Sequence, residues 1–181
     1  MIEEEAAFRE AIERNPHSPI GYYNLGLWLS EDPSGASEAE AAYRKAIELE
    51  PDNARYIYRL GLLLHEELHR FEEAEIAYRR AMDLAPEHVF YYGGLMSLLV
   101  QQSRRPEALA LSMKMRAMLN AGRNWYGLAA LDAILGDIEA AIRYLRQAAR
   151  EANFDPRWAR KDADLASIRN DPRFDEIVGR L

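Results

Sequence analysis

The sequence contains no cysteine, which excludes disulfide bridges and cysteine-ligated metal sites. It also lacks any stretch approaching the ~20 apolar residues that a membrane-spanning helix needs. Its acidic start has no apolar run behind it, unlike a signal peptide. A net charge of -7 disfavours binding to phosphate backbones. These absences favour either a cytoplasmic protein or a mature or excised fragment, with neither nucleic acid nor membrane as a partner.

Sustained alternation of apolar and polar residues is absent too, so we expect no β-sheet. The sequence instead repeats itself every 35 residues. Gly26 recurs as Gly61 and Pro51 as Pro86. The same offset relates Ala39, Tyr43 and Ala46 to Ala74, Tyr78 and Ala81. A fixed period of this size predicts a stacked array in which each unit buries its apolar face against its neighbours.

Apolar residues recur at helical spacing within each unit, and the turns between the apolar segments are short. We predict helices over residues 2–14, 19–30, 37–50, 53–67, 71–84, 87–102, 106–120, 123–135, 138–151, 162–169 and 172–179. Short turns force consecutive helices to pack antiparallel. Ser37 followed by Glu40 predicts a capping box at one helix start. Asp–Pro pairs at 155–156 and 171–172 predict an N-cap followed by proline.

The repeated residues resemble the tetratricopeptide repeat. The pattern of this family is large–x2–Leu–Gly–x2–large, followed by Ala–x3–aromatic and then Pro. The first match is Tyr22-x2-Leu25-Gly26-x2-Leu29, Ala39-x3-Tyr43 and Pro51. The second match is Ile57-x2-Leu60-Gly61-x2-Leu64, Ala74-x3-Tyr78 and Pro86. The resemblance implies an all-α, right-handed superhelical solenoid of antiparallel helix pairs. We expect a single domain over 1–181, with a half repeat (1–18), four repeats (19–53, 54–88, 89–121 and 122–155) and a C-terminal cap (156–181).

Two parts of the array stand apart from the two clear repeats. In the third repeat Met96 stands where glycine is expected, and Gly93-Gly94 leaves the register open by two residues. The tail is similar to the ending of many bacterial arrays of this family. Its apolar residues would cover the last open helix pair, as the end of a solenoid requires. These residues are Leu165, Ile168, Phe174, Ile177 and Val178.

The resemblance also implies a function, because proteins of this family are usually scaffolds whose first helices line a concave groove for a partner protein. The groove positions of the family fall on Tyr23, Leu27, Arg55, Tyr58, Leu62, Phe90, Arg123 and Tyr126. Members that bind chaperones clamp a carboxylate with Lys and Asn, which are absent from the matching positions here. We therefore expect an apolar or aromatic peptide, or an amphipathic helix. The alternative for Tyr23 and Tyr58 is packing between helices.

Two other functions stay open. The chain opens with a half repeat, so Phe8, Ala11 and Ile12 could pack on the next unit or on another copy, giving a homo-oligomer. His65-Glu66-x-x-His69 matches the H-E-x-x-H motif of zinc hydrolases. The repeat register places His65 near a helix end and His69 in a turn, which favours solvated turn residues. We expect no enzyme activity, no cofactor and no metal.

Overall fold

The computed structural model describes residues 2–121 and 124–179, and no strand occurs in that part of the chain. Its helices are α1 (Ile2–Arg14), α2 (Pro19–Leu29), α3 (Ala36–Leu49), α4 (Ala54–Glu66), α5 (Phe71–Leu84), α6 (Phe90–Gln101), α7 (Arg105–Ala121), α8 (Trp125–Leu135), α9 (Ile138–Ala148), α10 (Pro156–Lys161) and α11 (Pro172–Val178). Two 3₁₀ turns span Pro33–Gly35 and Ala163–Ile168. Among the helices described, none is both long and apolar enough to cross a membrane. The predicted all-α class is confirmed.

The chain forms two compact units, Met1–Leu95 and Met96–Leu181. In the first unit α2 packs on α3 and α4 on α5, while α1 packs on α2 and α3 on α4. Each helix from α1 to α4 therefore lies against the helix that follows it, as in the predicted stack. The expected division into repeats within one domain stays a prediction.

Glycine and tyrosine hold the helix pairs of the first unit together. A methyl group on Gly26 would lie 2.7 Å from the ring of Tyr43, and one on Gly61 would lie 2.9 Å from the ring of Tyr78. Both rings are almost completely buried. Glycine in a helix costs about 1 kcal/mol relative to alanine. Close approach of a large aromatic ring offsets that cost, which explains why glycine and tyrosine recur together.

A glycine of the third repeat packs on a tyrosine ring of the second repeat. A methyl group on Gly94 would lie 2.5 Å from the ring of Tyr78, so Gly94 also packs closely on this ring. Met96, at the periodic position, is a fully buried side chain. Gly94 therefore packs against a ring of the preceding repeat, and the register of the third repeat stays a prediction.

In the second unit the tail forms the expected cap. Leu165, Ile168, Phe174 and Val178 are buried in one cluster with Ala129, Ala133, Ala141, Ile142 and Leu145 from α8 and α9, and Ile177 packs against it. The expected helix over 162–169 is a 3₁₀ turn. A further helix, α10, was not predicted as a helix, although its start at the Asp155–Pro156 pair was.

The helix starts confirm some predicted caps and correct one. The carboxylates of Asp155 and Asp171 accept hydrogen bonds from the first N–H groups of α10 and α11. The capping box at Ser37 is wrong. Asp32 caps the 3₁₀ turn Pro33–Gly35, and α3 follows it directly from Ala36, so Ser37 already lies inside the first turn of the helix.

Candidate functional site

Aromatic side chains of the first unit connect its successive first helices. Tyr23 of α2 lies against Tyr56 of α4, with ring centroids 4.8 Å apart, and against Tyr43 at 6.1 Å. Tyr23 is only 6% exposed. Its ring therefore packs between α2, α3 and α4.

Tyr58 lies at the centre of a second group of rings. Its centroid is 5.6 Å from Tyr78, 5.1 Å from Phe90 and 5.2 Å from Tyr91. Tyr58 is 5% exposed, whereas Phe90 is 58% exposed. Phe90 meets Tyr58 at 60°, the edge-to-face arrangement that aromatic pairs favour. The result is an exposed apolar ring held in place by buried ones.

Other predicted site residues extend this surface along the same helices. Leu27 follows Tyr23 by four residues and Leu62 follows Tyr58 by four, so each pair shares a helix face. Both leucines are half-buried. Arg55, near the start of α4, is exposed. We call this set the first-helix face: Tyr23, Leu27, Arg55, Tyr58, Leu62, Phe90 and Tyr91.

Tyr91 is a member that sequence reasoning missed. It is half-buried between Tyr58 and His88, whose ring centroid lies 5.4 Å away. The sequence contains a signal for Tyr91, because it follows Tyr56 by one 35-residue period. The repeat pattern includes only residues shared by the first two repeats, and the first repeat has Gly21 at the matching position.

The last two predicted groove residues belong to the second unit. Arg123 lies outside the described residues. Tyr126 of α8 is half-buried, and its hydroxyl donates a 2.7 Å hydrogen bond to Asp162. Burial, that hydrogen bond and the neighbouring carboxylates raise the pKa of Tyr126 above its usual range. Tyr126 lines a pocket of about 250 Å³ together with Phe154 and Trp158.

The first unit carries a second surface, formed by its second helices α3 and α5 over the floor of α4. This groove of about 430 Å³ is apolar at Ile47, Leu60 and Ile76. Charged side chains border it, and Arg44 pairs with Glu40 on its own helix, α3, and with Glu73 on α5. Ile76 is 67% exposed, which makes it a natural comparison for Phe90.

The H-E-x-x-H motif does not form one turn of helix. His65 lies at the end of α4, whereas His69 follows that helix with a positive φ of 52°. The expectation that both are solvated is wrong for His65, which is buried with Nδ1 3.2 Å from the Tyr78 hydroxyl. Among the described residues, no three His, Asp or Glu side chains are placed to hold a metal ion. His65 is therefore part of the packing around Tyr78.

Comparisons with known proteins agree with this architecture. Family models described as tetratricopeptide repeat match residues 34–89 and 122–154. No curated protein matches the chain. Among solved structures, YrrB, described as a TPR protein with an unusual peptide-binding site, is similar at 21% identity and a TM-score of 0.56, over 94% of this chain and 88% of that one.

Two further solved structures share the fold. MamA is 17% identical with a TM-score of 0.59, over 77% of this chain and 81% of its own. PilF of Pseudomonas aeruginosa is 19% identical with a TM-score of 0.57, over 88% of this chain and 71% of its own. At these identities the likeness shows the fold alone, and the repeat models identify the family. The chain is therefore a tetratricopeptide repeat protein, a protein-interaction scaffold of a family that is typically non-enzymatic.

Proposed function

We propose that the first-helix face binds an apolar or aromatic segment of a partner protein, either a peptide or one side of an amphipathic helix. The observation that carries this proposal is the exposure of Phe90, at 58%, on a base of buried rings. Covering a large apolar ring that is exposed to water on one side lowers the free energy of the complex. Covering the exposed part of such a side chain contributes about 1–2 kcal/mol.

Neighbouring rings also hold the Phe90 side chain in a fixed position, which favours binding. Phe90 contacts Tyr58 and Tyr91, with centroids 5.1 and 6.1 Å away, so its position is fixed before a partner arrives. A side chain that is already ordered loses little entropy on binding. Aromatic side chains on a well-packed base are typical of binding hot spots. In this proposal Phe90 contacts the partner directly, and Tyr58 positions Phe90.

The remaining members of the face have supporting roles. Leu27 and Leu62 offer half-buried apolar surface on α2 and α4, at the spacing that an apolar helix stripe would meet. Arg55 supplies a charged side chain at its edge, where it would select partners with an acidic residue beside their apolar stripe. Such a protein acts without cofactor or metal, and the lack of cysteine favours a cytoplasmic location.

Self-association through α1 is the second candidate. Ile12 packs toward α2, since a methyl group on Gly21 would lie 3.3 Å from Ile12 Cγ1. Arg9 also pairs with Glu38 of α3. These contacts favour packing of α1 on its own chain, but Ala11 is exposed and Phe8 is half-buried, which leaves apolar surface for a second copy.

A peptide selection followed by titration tests the proposal. Peptides selected from a random displayed library on the wild-type chain are titrated against wild type, Phe90→Ala and Ile76→Ala. The Phe90 variant is expected to bind about 5- to 30-fold more weakly, equivalent to about 1–2 kcal/mol. Ile76→Ala removes an equally exposed apolar side chain from α5 and is expected to bind normally. Equal affinity of Phe90→Ala and wild type would overturn the proposal.

Tyr58→Ala is a weaker test, because the structure buries this ring. The substitution is expected to weaken peptide binding through the loss of support for Phe90. It also removes a core side chain, at a cost of about 3–5 kcal/mol in stability. The urea unfolding curve of this variant is therefore measured beside its affinity.

A further inference from the structure

The pocket beside Tyr126 combines aromatic walls with negative charge. Tyr126 comes from α8, Phe154 from the connection after α9, and Trp158 from α10. The rings of Tyr126 and Phe154 lie 6.4 Å apart at an angle of 55°. Trp158 is 59% exposed at the pocket mouth. Three elements thus bring three rings around a space of about 250 Å³.

The charged part of the same wall is acidic. Glu151 and Asp155 line the pocket, and none of its described lining residues is basic. Beyond the Tyr126 hydroxyl lies Asp162, and the charge of Asp164 also reaches this hydroxyl. Aromatic ring faces carry partial negative charge and attract cations. The rings and the carboxylates of this pocket therefore both favour a cationic ligand.

We propose that this pocket binds the ammonium group of a lysine side chain presented by a partner protein. The ring faces would contact the end of the lysine side chain, and Glu151 would pair with its charge at the pocket edge. Asp155 is less available, because its Oδ1 accepts hydrogen bonds from the N–H groups of Arg157 and Trp158. This site goes beyond the proposed function and belongs to the other unit of the chain.

The geometry favours lysine over arginine. A planar guanidinium prefers to stack flat on a ring and to pair with a carboxylate through two parallel hydrogen bonds. The rings of Tyr126 and Phe154 are inclined at 55°, so they leave no parallel slot between them for a planar guanidinium, whereas the compact ammonium group needs no such slot. A purely apolar ligand would leave the carboxylates of the wall without a counter-charge.

Nuclear magnetic resonance with three small probes tests this site in the full chain. The probes are Nα-acetyl-lysine N-methylamide, its neutral Nε-acetylated form, and the arginine counterpart. The chain has three tryptophans, so three indole N–H signals report on three places at once. The lysine probe is expected to shift the Trp158 signal with a saturable curve and to leave the Trp28 and Trp125 signals unchanged. The neutral probe is expected to produce no such curve, and the arginine probe a weaker one.

Two variants and a control locate the binding. Trp158→Ala removes an exposed ring, and its effect is read on the signals of neighbouring backbone amides; affinity is expected to fall about fivefold. Glu151→Gln keeps the shape and is expected to weaken the lysine probe about threefold, whereas Glu13→Gln on α1 has no effect. The proposal is overturned if the neutral or arginine probe binds as well as lysine, if all three indole signals move alike, or if Glu151→Gln binds normally.

Discussion

Tyr78 shows how a single ring can join helices of the first unit. It is fully buried, and glycines from two different helices, Gly61 and Gly94, approach its ring. His65 lies 3.2 Å from its hydroxyl, so the polar end of the side chain also has a partner. The ring fills the space that the missing side chains leave, and it supports Tyr58, on which Phe90 lies. The position of the exposed Phe90 ring therefore depends on packing deeper in the same unit.

Gly94→Ala is expected to destabilise the protein by about 1–3 kcal/mol, because the new methyl group would lie 2.5 Å from the Tyr78 ring and would displace it. The measurement is the midpoint of urea unfolding. Gly21→Ala is the matched control, since its methyl group would lie 3.3 Å from the flexible Ile12 side chain and no nearer than 3.9 Å to Ser18. Equal midpoints for Gly94→Ala and wild type would show that this close approach does not matter.

The candidate site could be predicted only in part at the residue scale. The family pattern selected Tyr58 and Phe90, which the structure brings together. It could not tell that Tyr58 is buried and Phe90 exposed, because both positions lie on first helices and burial depends on neighbouring helices. Trp158 and Phe154 were missed altogether, since they meet Tyr126 only after the chain turns back behind α9.

At the scale of secondary-structure elements, hydrogen bonds and ion pairs at a helix start hold the C-terminal cap in place. Asp171 accepts a hydrogen bond from the Arg173 N–H at the start of α11, and the Arg173 guanidinium donates to both Asp171 and Glu139 of α9. Arg173 thereby ties the cap to the last helix pair. Its hydrogen bonds hold the pKa of Asp171 down at about 2 and also lower the pKa of Glu139.

This network predicts a loss of stability in acid. A carboxylate whose folded-state pKa is lowered stabilises the fold above its unfolded pKa, about 3.9 for Asp, and loses that contribution as pH falls toward about 2. Arg173→Met is expected to lower stability near neutral pH and to flatten its decline between these values. Urea midpoints measured at several pH values compare it with Arg157→Met on α10. Parallel pH curves for wild type and Arg173→Met would contradict this role.

The elements themselves were largely predictable, and their exceptions have local causes. Nine helices from α1 to α9 follow from apolar spacing with small shifts at their ends. The capping box at the start of α3 was wrong because Asp32 and Pro33 begin a 3₁₀ turn that leads directly into the helix. The short α10 lacks enough residues for a periodic signal, so only its Asp–Pro start was visible.

At the scale of the molecule, the chain offers two chemically different surfaces in two compact units. The first unit carries the apolar first-helix face, and the second carries the acidic aromatic pocket. A scaffold with one apolar and one cation-binding site would recognise partners by a combination of two weak contacts, which raises overall affinity when both are engaged.

Self-association through α1 is tested separately by light scattering over a range of protein concentrations. If a second copy covers α1, wild type forms an oligomer that Phe8→Glu converts to monomer, because a charge replaces a half-buried ring. Ile20→Glu on α2, where Ile20 is 48% exposed, is the control. An oligomer whose size Phe8→Glu leaves unchanged would remove this contact from consideration.

Chemical-shift mapping of a selected peptide on the isotope-labelled chain tests the central claim most directly, because it shows where binding occurs. The account predicts that the amide signals of Tyr58, Leu62, Phe90 and Tyr91 change most, and that those around Ile76 stay in place. Changes concentrated on α3 and α5, along the groove beside Ile76, would contradict the claim that the first helices form the binding surface.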